Sequence, residues 1–282
     1  MKVVAGMVGG VVLLAATQLF GTDLLGIGHG SAPQELDRAA TLSVRTVDVP
    51  LREGQFRYVR SEYRGITLLP DGGAVASQLR REEWMPKDPH QPWLLRTTQV
   101  GKPHWVPGHE GSGPAAAQLN PMLGEWTAPC GGYSFMAQPV DCEHGSETNP
   151  TPEFLAKLPS DPAKLWMQLA SSGVQQGLHN ISGLLATGRI PGQTRSLLYQ
   201  ALKHATGIRV TSDAVNVDGR TGLGISAAGD GDGLEFMVDP DTGQFLGSRL
   251  VLSKTTQGFP QGTVLQTDSV RMGVADKIGA AP

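Results

Sequence analysis

A chain of 282 residues has room for one large domain or two small ones. Its net charge of −3, with no basic stretch, argues against a nucleic-acid partner. The 39% hydrophobic fraction suffices for a core, and 37 Gly and 20 Pro favour turns and short strands over long helices.

The first predicted element is a membrane segment. Lys2 is followed by an uncharged run from Val3 to Phe20. As a helix it spans about 27 Å, close to the roughly 30 Å hydrocarbon core of a bilayer. Two readings compete, a cleaved signal peptide and a retained anchor. Gly30-Ser31-Ala32 offers small residues, but Pro33 would follow the cut, and Ala15-Ala16-Thr17 lies inside the apolar run. The retained anchor is therefore the expectation, with residues 1–32 as anchor and linker. The positive charge at its start places residues 33–282 outside the cytoplasm. Gly6 and Gly10 form one G-x-x-x-G pattern, a spacing that also arises by chance in Gly-rich segments.

Next, Pro33 to Thr46 carries Leu36, Ala39, Ala40 and Val44 at helical spacing. Three strands are expected at Gln55–Leu69, Ala74–Trp84 and Trp93–Val100, joined by turns at Pro70–Gly73 and Pro86–Pro92. Residues 101–152 show no stable period and read as a long Gly/Pro-rich excursion. Cys130 and Cys142 lie within it, and in an oxidising compartment such a pair reads as one disulfide.

Helices follow. Asp161-Pro162 reads as a cap with Pro at the first helical position, ahead of Leu165, Trp166 and Leu169. Gly188–Pro191 separates two further pieces. The second carries Leu197, Leu198, Ala201 and Leu202, with Gly207 as its expected C-cap. Four strands are then expected at Ile208–Val217, Leu223–Ala227, Leu234–Val238 and Phe245–Leu252, and a fifth at Val264–Val270.

No chemical signature stands out. His104, His109 and Glu110 lie in a Pro/Gly loop rather than on one face, a poor frame for zinc, and nothing completes a site around Cys142 and His144. Asp230, Asp232, Glu235, Asp239 and Asp241 lack the twelve-residue calcium pattern and read as turn residues. Glu82 and Glu83 are neighbours on a strand, so they face opposite sides and form no acid/base pair. There is no G-x-S-x-G elbow, and Gly222-Leu223-Gly224 lacks the third Gly of a nucleotide loop. The expectation is therefore no catalytic residue, no metal and no cofactor.

Several segments carry a family resemblance. These are Leu158–Pro162, the P-x-x-x-R-x-x-L-Y-x-A-L stretch of Pro191–Leu202, Gly207–Val210, Asp218–Gly222 and Phe236–Gly247. Gly54–Arg60 and Glu82–Trp84 join them. Together, over most of the chain from residue 34, they resemble a family of membrane-anchored actinobacterial proteins without assigned activity, often encoded near extracytoplasmic-function sigma factors. Family members carry a longer cytoplasmic segment, whereas Met1 and Lys2 alone precede the apolar run here, so a sigma-factor-binding domain is not carried over. The family's architecture is similar to the lipoprotein-carrier half-barrels. The resemblance therefore implies an α+β fold, with a curved, half-barrel-like antiparallel sheet covered by helices. No catalytic residues are known for the family.

The expected function is non-enzymatic: an extracytoplasmic domain that binds or carries a lipid, a peptide or a cell-wall component. Trp166, Leu198, Phe236 and Val238 are its expected ligand-facing residues. The alternative is a regulatory or sensory role in an envelope-stress pathway, implied by the gene neighbourhood of the family.

Overall fold

Ten antiparallel strands form one open sheet in the computed structural model, which describes residues 31–46, 48–119, 122–136, 140–227 and 233–282. The expected anchor, with Gly6 and Gly10, lies outside the described residues, as do Asp230 and Asp232. Among the described residues no helix is long and apolar enough to cross a membrane.

The strands fall into two meanders. In the first, β1 (Phe56–Leu68), β2 (Ala74–Pro86) and β3 (Pro92–Gln99) pair in chain order, two-residue β4 (His104–Trp105) pairs with β2, and β5 (Gly124–Pro129) forms the edge beyond β3. In the second, β6 (Ile208–Val215), β7 (Thr221–Ala227), β8 (Gly233–Val238) and β9 (Phe245–Val251) pair in order and lead to β10 (Val264–Ala275). The meanders are joined by their outermost members in sequence. β10 runs antiparallel to β1 from Phe56↔Ala275 to Gly65↔Gln266.

Alternation along β1 sets the two faces of the sheet. Val59 joins the main core, while Tyr58 packs with Trp84, Leu94 and Ala275 on the other side. Among the described residues five helices cover the Val59 face: α1 (Ala32–Arg45), α2 (Pro152–Lys157), α3 (Pro162–Leu169), α4 (Val174–Ala186) and α5 (Gly192–Leu202). Their apolar stripes bring Leu36, Leu165, Leu178, Ile181 and Leu202 against Val59, Leu95, Ile225 and Phe236. On the opposite face the C-terminal tail lies over Trp84, whose indole N–H donates to the Ala280 carbonyl at 2.6 Å.

The local start signals hold. Asp161 accepts the Lys164 N–H at 2.9 Å with Pro162 behind it. Cys130 and Cys142 are joined as a disulfide, Cα to Cα 5.5 Å.

Four expectations need correction. The excursion contains an edge strand, β5, in register with β3 from Pro92↔Pro129 to Thr97↔Gly124. Its largely exposed side chains erase the apolar alternation that marks a strand. The excursion also runs into α2, capped by Thr151 through the Phe154 N–H. α5 ends at Leu202, where Lys203 stays helical in conformation, and Gly207 (φ 76°) belongs to the turn before β6. Finally, β10 continues past Val270 to Ala275 because its pairing with β1 extends there.

Candidate functional site

The four expected ligand-facing residues are brought together, but as core. Trp166, Leu198, Phe236 and Val238 are between 0 and 8% exposed and belong to the main cluster. Phe236 also meets Phe245, ring centres 6.3 Å apart. In this conformation they offer no surface to a ligand. Helical and strand periodicity identified them as inward-facing, which they are, and inward here means packed.

The opening lies beside that core, where the sheet splits. The β9–β10 ladder runs from Val264↔Val251 to Thr267↔Arg249 and goes no further. Ser248 is still held to β10, its N–H and hydroxyl donating to Asp268 at 2.8 and 2.6 Å. Beyond it the strands are bridged by Arg220, whose guanidinium donates to the Leu246 and Val270 carbonyls at 3.4 and 2.5 Å. A cleft of about 220 Å³ lies along this split. Phe245, Met272 and Val274 line it from the two strands, Leu185 from the end of α4, and Ile190 from the α4–α5 connection.

Three charged side chains line the same cleft: Asp48, Arg57 and Arg195. Asp48 belongs to the segment between α1 and β1. Its carboxylate accepts the Gly192 N–H at 2.6 Å and a guanidinium hydrogen of Arg195 at 2.9 Å. Arg195, 9% exposed, also donates to the Ile190 carbonyl at 2.7 Å. Close approach is required here, since a Cβ on Gly192 would overlap the Ser43 carbonyl oxygen.

Arg57 is different. It shares a strand face with Val59, is half-buried, and has no hydrogen-bond or ion-pair partner among the described residues. Burial lowers its pKa. Asp48 acts against that shift through space, and Arg195 adds to it. Arg189 lies in the same α4–α5 connection. It stacks over Trp93, 4.7 Å from the ring centre, and donates to Asn149. Burial first, and Arg57 after the opposing Glu83, bring its pKa down to about 10. Two guanidinium groups, Arg57 from β1 and Arg195 from α5, thus share one carboxylate, Asp48, in the cleft.

The other candidates do not assemble. His109 stacks on Phe259 with ring centres 4.2 Å apart, and Glu110 accepts the Gly108 N–H. His104 faces the Lys102 carbonyl. Among the described residues the one cluster of three potential metal ligands is His90 with Cys130 and Cys142, whose sulfurs are committed to the disulfide. His144 pairs instead with Asp141 at 2.9 Å. Glu235 pairs with Arg249, Asp239 accepts the Asp241 and Thr242 N–H groups of its turn, and Asp241 lies 3.7 Å from Arg38. Gly222 and Gly224 lie in β7, not in a strand-to-helix loop. Glu82 and Glu83 diverge as strand alternation requires: Glu82 accepts from Tyr58 and Glu83 from Tyr133. A larger hollow, about 320 Å³, opens between Gly54–Phe56 and Pro86–Asp88. Its charged residues Glu53, Lys87 and Asp88 are exposed and solvated, so the smaller cleft carries the stronger chemistry.

The cleft residues were not picked out from the sequence. A signal existed for Arg195, which stands three residues before Leu198 and seven before Leu202, on the buried face of its helix. No protein-family model and no curated protein matches this chain.

Proposed function

We propose that the chain is a non-enzymatic, membrane-anchored extracytoplasmic domain that binds a lipid, a peptide or a cell-wall component in the cleft between β9 and β10. The observation that carries this reading is the cleft itself. It combines apolar walls with a few convergent polar groups, as small-molecule sites do. The Cys130–Cys142 disulfide fits an oxidising compartment, and the uncharged Val3–Phe20 run fits an anchor. In this reading the sheet is curved in the manner of a half-barrel, with the split as its mouth. The regulatory alternative rests on the family resemblance alone.

Native mass spectrometry of the full chain released from its own membrane tests the reading. The expected result is a bound species that Met272→Trp, by filling the cleft, removes. A bound species unaffected by that substitution, or none at all, overturns it.

A further inference from the structure

Arg57 poses a specific problem. Its guanidinium is half-buried and faces the cleft, and partial burial of a charge without an acceptor is unfavourable. Strand β1 gives Arg57 no choice of side, because its register with Met85 and Val274 turns it toward the helices together with Val59. The nearby carboxylate is already committed. Asp48 is held by the Gly192 N–H and by Arg195, and it lies beyond ion-pair distance from Arg57. The cleft therefore contains a fork of guanidinium donors with no protein acceptor among the described residues, beside walls of Met272 and Val274.

We propose that the cleft takes an anionic amphiphile, whose phosphate or carboxylate head docks on the Arg57 guanidinium and whose hydrocarbon part lies along Met272 and Val274. This rests on the reading of the cleft as the ligand site and names the class of ligand. A planar fork matches a two-oxygen anion bidentately, which a lysine ammonium would not. Arg195 stays with Asp48 and adds positive field without leaving its partner. A free phosphate and a lipid headgroup share the head chemistry, and the apolar walls favour the lipid.

The test is calorimetric titration of the full chain, held in a nonionic amphipol, with octyl phosphate, octanoate, 1-octanol and inorganic phosphate. Octyl phosphate and octanoate are expected to bind at least about tenfold tighter than 1-octanol and than inorganic phosphate. Arg57→Gln should lower both anionic amphiphiles to the 1-octanol level and leave 1-octanol unchanged, with an unchanged melting temperature as the folding control. Arg57→Lys, which keeps the charge and loses the fork, should fall between, and it serves as the second variant if the Gln form does not fold. Unchanged octyl phosphate binding in a folded Arg57 variant overturns the proposal. So does inorganic phosphate binding as tightly as octyl phosphate, since the apolar walls would then contribute nothing. If octyl phosphate and 1-octanol bind alike and Met272→Trp abolishes both, the anionic head is wrong and the cleft stands. If nothing binds, the cleft falls as well.

Discussion

Asp48 caps α5 from 144 residues away, taking the Gly192 N–H at 2.6 Å and pairing with Arg195 at 2.9 Å. Pro191, the residue preceding α5, has no side-chain acceptor to offer, so the helix is capped by the segment that follows α1. One carboxylate thereby ties the segment after α1 to α5 and holds one wall of the cleft. Asp48→Ala removes the cap and leaves Arg195 without its carboxylate. The expected loss is about 1–2 kcal/mol in urea unfolding. Wild-type stability in that variant would show that the contact does not hold α5.

Leu198 is fully buried between helices and sheet. Leu198→Ala should cost about 2–5 kcal/mol by the same measurement. A cost under about 1 kcal/mol would mean that the position is loosely packed, which would restore it as a ligand-facing residue.

Much of this fold was legible in the sequence, for identifiable reasons. α1, β1 to β3, α3 and the β7 to β9 hairpins each carry a period and a start or stop signal, such as Asp161-Pro162 or the Asp239–Gly243 turn. What was not legible is what tertiary context decides. β5 is a strand because β3 offers it an edge, and its own exposed residues say little. The β1–β10 seam joins residues about 200 positions apart, beyond the reach of any local period. Periodicity found the buried face holding Trp166, Leu198, Phe236 and Val238 but could not tell a filled core from a lined cavity. The cleft escaped notice because Asp48 and Arg57 look like ordinary surface charges until the strands place them.

The disulfide should be present in exported protein. Non-reducing peptide mapping is expected to recover the Cys130 and Cys142 peptides linked. Replacing both by Ala removes the constraint on their short loop and should lower stability by about 3 kcal/mol. Two free thiols in exported protein would contradict the proposed oxidising compartment.

Asp268 gives a pH dependence. Burial, the leading cause, holds its carboxyl above the ordinary value of 3.8, against two hydrogen bonds from Ser248 that pull the other way. The folded state therefore binds this proton more tightly than the unfolded chain does. The stability it contributes is fully present below the ordinary aspartate value and is lost as pH rises through the raised folded value. Asp268→Asn should be less sensitive than wild type to rising pH across that window, as read by urea midpoints. Identical pH slopes would show that Asp268 does not titrate differently on folding.

The location of binding tests the account most directly. Hydrogen–deuterium exchange would compare the full chain as released from its membrane with the same chain after removal of bound lipid. The account predicts that removal loosens Asp48–Val49, Leu185–Arg195 and Met272–Val274 together, leaving β3 and β5 unchanged. Equal exchange along those three segments, or a difference confined to the β3–β5 edge, would contradict it.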